Sequence, residues 1–246
     1  MFSNSAEFYD AIYGKFKDYP AEAKKMADLI AREHPAAKTL LDVACGSGEH
    51  ARILRDQYHF EVDGIDLSGD FVALAERKNP GGRFFRADMI DFDLGRTYDA
   101  VMCLFSSIAY VRTLDRVTLA LRQFKAHLND GGLILVEPWF PPGVLIPGKI
   151  HLNTVHPGDV AIARLGYCEI RDRMSTLHFE YLIGTLGKIR HETETHELGL
   201  FTREEMGRCF AEAGLSFEFD PDGLSGRGLY IARKARTRYS EGVSPK

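Results

Sequence analysis

The stretch Thr39–Ala44, a short apolar strand, runs straight into Gly46-Ser47-Gly48 and then into the helically spaced Glu49–Tyr58. This unit limits the chain more than any other feature. A strand apolar along nearly its whole length must be covered on both faces, which favours a parallel sheet flanked by helices. The alternation repeats. Glu61–Asp66 reads as a second strand and Ser68–Lys78 as a second helix, with Ser68 as N-cap. Gly82–Ala87 and Tyr98–Leu104 read as strands three and four. Leu114–Leu128 is a helix closed by the turn Asn129–Gly132, and Leu133–Glu137 is strand five. Pro20–His34 precedes them as a surface helix, and strands near Ser216–Phe219 and Leu229–Ala232 complete the sheet. The expectation is a doubly wound α/β fold with a mostly parallel, seven-stranded sheet.

The pattern breaks after Trp139. A proline-rich stretch leads into runs at Asp159–Glu169, Met174–Gly184 and Lys188–Leu200, the second of which alternates cleanly. These predict an inserted antiparallel β-segment over 139–199. The main domain then comprises 1–138 and 200–235, its return marked by the capping box Thr202-Arg203-Glu204-Glu205. Residues 236–246 read as a flexible polar tail.

Hydrophobic residues make up 45% and charged residues 27%, enough for a sizeable core. A net charge of −4 argues against a protein that binds phosphate backbones, so no nucleic-acid partner is expected. The four cysteines are far apart, with no CxxC pair to suggest a metal. No apolar run is long enough to span a membrane, and Met1–Lys17 lacks a signal-peptide core. Reduced thiols in a cytoplasmic protein are the expectation.

Gly46 and Gly48 stand at the carboxyl end of a strand, where such sheets bind ligands. With Ala51 they even match a dinucleotide fingerprint, Asp66 lying at the distance of a ribose-binding acid. Asp42 favours a different ligand. Four positions before Gly46, its carboxylate repels a pyrophosphate and suits an ammonium or sulfonium. Asp66 can take both ribose hydroxyls, and Asp88-Met89 can meet the adenine amino group and ring face. One acid after each of three successive strands fits a cationic nucleoside.

Leu41-Asp42-Val43-Ala44-Cys45-Gly46-Ser47-Gly48 resembles the first motif of class I S-adenosylmethionine-dependent methyltransferases. Gly64–Ser68, Ala87-Asp88-Met89 and Cys103–Ser107 are similar to the later motifs in order and spacing. Val136-Glu137-Pro138-Trp139, Leu200–Glu204 and Ser225-Gly226-Arg227-Gly228-Leu229 narrow the resemblance to the TDP-aminosugar N,N-dimethyltransferases of antibiotic deoxysugar biosynthesis.

The resemblance implies cofactor contacts at Tyr19, Ala44, Gly46, Asp66, Asp88, Met89 and Leu104; Asp42, Gly48 and Leu67 join them from the motifs. It implies substrate contacts at Tyr13, Trp139 and Arg227. The family pattern implies an arginine near Thr176 and a histidine near Glu180, and this sequence has neither. Arg164, Arg171 and Arg173 lie close by, and Arg164 and Arg173 are expected to meet the acceptor. The departure points to an unusual sugar nucleotide or a non-nucleotide acceptor. Tyr13 is expected to orient the amine, and Glu137 to accept a proton or hold a sugar hydroxyl. His191 and His196, with Glu192, Glu194 and Glu197, read as a solvated strand face rather than a metal site. The inserted strands are expected to wall the acceptor pocket, to form a homodimer, or both. A non-nucleotide natural-product acceptor and a non-catalytic cofactor-binding protein stay open as alternatives.

Overall fold

A computed structural model describes residues 8–234, so the 236–246 tail lies outside the described residues. Two helices lead in, α1 (Tyr9–Tyr13) and α2 (Tyr19–Glu33), the second capped by Asp18, which accepts from the Ala21 amide. There follow β1 (Thr39–Val43), α3 (Glu49–Tyr58), β2 (Glu61–Asp66), α4 (Gly69–Lys78), β3 (Phe84–Arg86) and β4 (Tyr98–Cys103). A 3-10 helix, Ser107–Val111, α5 (Leu114–Ala126) and β5 (Leu128–Val136) come next. Then β6 (His151–Val155), β7 (Ala161–Arg171), β8 (Met174–Thr185) and β9 (Lys188–Gly199) run consecutively. The chain closes with α6 (Arg203–Glu212), β10 (Leu215–Asp220) and β11 (Leu229–Lys234).

Seven strands form one sheet in the order β10-β11-β5-β4-β1-β2-β3. All neighbours are parallel except β11 with β5 and β10 with β11. Alternate side chains feed both faces: Leu40, Ala100 and Met102 meet Met26, Ile30 and Ile53, whereas Leu41, Val101 and Cys103 meet Phe124 and Phe210. That two-sided burial is why the central strands read as unbroken apolar runs. The strand order reverses between β1 and β4, which opens a crevice at their carboxyl ends.

Two boundaries differ from expectation. The edge strand β3 shortens to Phe84–Arg86, although Gly64 still donates to the Arg83 carbonyl and Ala87 to that of Asp66. Asn129–Gly132 is no free turn. It lies within β5 as an irregularity, where the partner register jumps between Tyr98 and Ala100.

The insertion is a four-stranded antiparallel sheet, β6-β7-β8-β9. Its edge strand β6 falls where the sequence shows only a proline-rich loop. Helix α1 joins the two sheets. Phe8 and Ile12 pack against Val155, Ile162, Tyr181 and Ile183 of the insertion, while Asp10 bonds Ser47 and Lys78 of the main domain. No helix among the described residues is long and apolar enough to cross a membrane.

Candidate active site

The crevice opens into a cavity of about 700 Å³. One side is built from the strand ends of the parallel sheet: Ala44, Gly46, Asp66, Leu67, Asp88 and Met89 all line it. A smaller pocket of about 40 Å³ also touches Ala44 and Gly46, and reaches Tyr19, Asp42, His50 and Leu104. The expected cofactor residues therefore converge on two connected spaces, with Gly48 alone left out.

Asp66 organises the turn. Its Oδ2 accepts from the Gly46 amide at 2.9 Å and its Oδ1 from the Ser68 amide at 2.8 Å. With a third backbone bond from Leu67, the carboxylate still keeps lone-pair capacity, which suits a hydroxyl donor. Gly46 has φ +55° and open space where a side chain would start. Gly48 serves the fold instead. Added there, a Cβ would stand 2.7 Å from the Asn79 side chain and 2.9 Å from Ala75 Cβ. Its expected ligand contact is thus corrected to close packing of α3 on α4.

Asp42 is buried and its Oδ2 has no hydrogen-bond partner among the described residues. Burial, reinforced by nearby Asp66 and opposed by Lys17, pushes its pKa up to about 8. An orphaned buried oxygen is costly, and a ligand ammonium relieves that cost. Lys17 was not singled out in the sequence. Its ammonium lies 2.9 Å from Glu22, whose carboxylate also meets His50 at 2.7 Å, and 3.8 Å from the centre of the Phe105 ring. These features, with the open Gly46 and the Asp66 lone pairs, fit an amino-acid-bearing nucleoside such as S-adenosylmethionine.

The other side of the cavity carries Tyr13, Trp139, Phe140, Arg164, Phe179, His196 and Arg227. Arg164 hydrogen-bonds Tyr13 and lies against the Tyr13 and Phe179 rings, at 5.0 and 4.8 Å. Its Nε and Nη1, and Nε of Arg227, are buried without partners among the described residues. Trp139 donates from Nε1 to Ser175 Oγ at 2.9 Å. Thr176 and Glu180 are absent from the lining, so the departure from the family pattern leaves the cavity's cations intact.

Three expectations need correction. Glu137 is 1% exposed, lies behind the cavity wall, and accepts from the Phe105 amide at 2.7 Å, from Ser225 and from Arg227 at 3.1 Å. Both its oxygens are engaged, so it ties two loops together rather than facing an amine. Arg173 bonds the Leu200 carbonyl and Glu205 of the α6 capping box and does not reach the cavity. The solvated-face expectation holds for His191, exposed beside Glu180, but His196 and Glu194 are buried. The two histidines do lie on opposite faces of β9.

A family model described as a methyltransferase domain matches residues 40–132. Fold and site together define a class I S-adenosylmethionine-dependent methyltransferase. The chain is 42% identical to the dTDP-3-amino-3,6-dideoxy-alpha-D-glucopyranose N,N-dimethyltransferase of Streptomyces fradiae, over 92% of this chain and 89% of that one. Streptomyces venezuelae DesVI superposes with a TM-score of 0.88 at 34% identity, covering 96% of this chain and all (100%) of that one. CalS10, described as an amino pentose methyltransferase from Micromonospora echinaspora with S-adenosylmethionine bound, gives 0.83 at 33% identity, covering 96% and 98%. The chain belongs to the family of the TDP-aminosugar N,N-dimethyltransferases.

Two outcomes follow for the cofactor side. Gly46→Ala is expected to cost only about 1 kcal/mol of stability through its left-handed backbone, yet to weaken S-adenosylmethionine binding at least about tenfold, because the new methyl enters the ligand's space. Gly48→Ala adds a packing clash of about 1–3 kcal/mol to a similar backbone cost and is expected to lower the melting temperature markedly. Calorimetric titration and thermal melts separate the two. For Asp42 the folded pKa, about 8, exceeds the ordinary 3.8. The unfolded chain thus binds fewer protons between those values, and stability falls as pH rises toward 8. Asp42→Asn is expected to gain stability over the ligand-free wild type as pH rises, levelling off above about pH 8; a constant difference in melts across pH would refute this.

Proposed function

We propose that this chain N-methylates the amino group of a TDP-linked deoxyaminosugar in natural-product biosynthesis. The observation that carries the reading is the pair of arginines, the buried Arg164 and the partly buried Arg227, whose N–H groups without a partner among the described residues stand in the same cavity as the cofactor residues. Guanidinium forks match phosphate oxygens, and the Streptomyces fradiae relative is named for a dTDP-linked aminosugar.

Bound S-adenosylmethionine supplies a sulfonium-activated methyl carbon. The chain's own residues position the acceptor, exclude water and keep the amine's lone pair free. Holding the reacting atoms in near-attack geometry contributes on the order of 7 kcal/mol or more. Tyr13 orients the amine. The Arg164 guanidinium donates to its hydroxyl oxygen and so fixes where that hydroxyl points. Trp139 and Phe140, edge to face at 4.8 Å, offer an aromatic surface to the acceptor's rings. A cytoplasmic location accords with the free thiols Cys45, Cys103, Cys168 and Cys209.

The acceptor is tested by mass spectrometry after incubation with S-adenosylmethionine and a panel of TDP-aminosugars. Gains of one and then two methyl groups are expected. No gain, alongside calorimetric binding of the cofactor, would discard the sugar nucleotide and turn the search to free amines. The reading extends to a homodimer. The outward face of the inserted sheet exposes Leu152, Leu165, Leu182 and Ile189, at 62%, 43%, 50% and 76%, an apolar band that a second copy would cover. Sedimentation should give twice the chain mass, falling to the chain mass in the Leu182→Glu, Ile189→Glu double variant. A monomeric wild type would end this extension.

A further inference from the structure

The half-buried Tyr110 and the buried His196 and Glu194 line up where the 3-10 helix meets β9. Tyr110 Oη lies 3.1 Å from His196 Nδ1, and His196 Nε2 lies 3.6 Å from Glu194 Oε2. The His196 and Glu194 side chains are 0% and 2% exposed. Glu194 also accepts from the Tyr181 hydroxyl at 3.1 Å, which holds its carboxylate in place. Tyr110 and His196 line the cavity, whereas Glu194 is not among the lining residues. A carboxylate on the Nε2 side favours the tautomer protonated there. Nδ1 is then an acceptor, and the Tyr110 O–H donates to it. The Tyr110 oxygen keeps its lone pairs for a donor inside the cavity.

Arg164 of β7 faces the imidazole, Tyr13 of α1 and Asp66 of β2 face the Tyr110 hydroxyl, and Tyr181 of β8 faces Tyr110 and Glu194. Burial lowers the His196 pKa, opposed by Glu194, which favours the neutral imidazole a base requires.

We propose that Tyr110, His196 and Glu194 form a proton relay that deprotonates the acceptor ammonium before each methyl transfer. The proposal rests on the aminosugar reading. An N–H of the ammonium gives its proton to Tyr110 Oη, as the Tyr110 proton passes to His196 Nδ1. The resulting imidazolium is balanced by Glu194, and the amine is left neutral with a free lone pair. The nitrogen–methyl bond then forms as the carbon–sulfur bond breaks, its electron pair staying on sulfur. The product leaves as a methylated ammonium, and the imidazolium returns its proton through Tyr110 to water re-entering the cavity. Each methyl group added thus releases one proton. Tyr110 is the catalytic residue that touches the amine; His196 and Glu194 act through it.

The test compares single-turnover methyl transfer to a TDP-aminosugar by wild type, Tyr110→Phe, His196→Gln and Glu194→Gln from about pH 6.5 to 9.5, with calorimetric cofactor binding as the check on folding. Loss of a positioned base typically costs about 10²–10⁴-fold. The variants are expected to fall at least about 10²-fold near neutral pH and to recover toward wild type as alkaline solution delivers amine already neutral. Rates within about threefold of wild type, or a loss equal at every pH, would overturn the relay. Tyr110→Phe decides alone if the buried substitutions fail to fold. An active wild type with insensitive variants sinks only the relay; a wild type inactive on every aminosugar sinks the acceptor reading and the relay with it.

Discussion

The carboxylate of Asp66 is the constraint on which the ligand-binding half depends. By accepting from the amides of Gly46 and Ser68, it ties the turn after β1 to the start of α4. The turn needs the tie, because Ala44, Gly46 and Gly48 all adopt positive φ, a conformation unfavourable for the alanine. Moving Asp66 would move the floor of the cavity. The same group that shapes the turn also lines the cavity.

The far side of the cavity is held by charge, which also keeps Phe105 at φ 51°. Glu137 gathers Phe105, Ser225 and Arg227 from two loops, so the rings and cations of the wall take their places around one buried carboxylate. Such a pair is costly to break, because removing one partner strands the other charge. Helix α1 completes the enclosure. Burying Phe8 and Ile12 against the inserted sheet contributes roughly 1.5–3 kcal/mol each, and Asp10 anchors the opposite end of this contact network on the main domain.

The parallel sheet was legible because two-sided burial leaves an uninterrupted apolar signal, and the cofactor residues because a strand–glycine–helix unit fixes where they point. Strand β6 was hidden by the prolines before it and by its exposed residues, which carry no alternation. Glu137 and Arg173 were misread for one reason: a charged residue in a telling motif looks functional until its partners are known, and those partners lie far away in sequence. Lys17 was passed over because a lysine rarely enters a core, yet Glu22 and two aromatic rings hold it there. Polar alternation in an edge strand does not say which face meets water, so in the sequence His196 and Glu194 read as solvated. Their two-residue spacing, repeated at Leu198, was the available signal.

The inserted sheet leaves the main frame at Pro138 and returns at Leu200, and both junctions are pinned to that frame. Ser106 bonds the Pro138 carbonyl at 2.7 Å, and Phe201 and Met206 join the core beneath α5. Side chains inside this loop of chain can therefore be exchanged without disturbing the strand order or the glycine turn. The inserted loop of chain thus acts as an exchangeable panel: Trp139, Arg164, Phe179 and His196 can vary one side of the cavity, while Tyr13, Tyr110 and Arg227 reach it from the main frame.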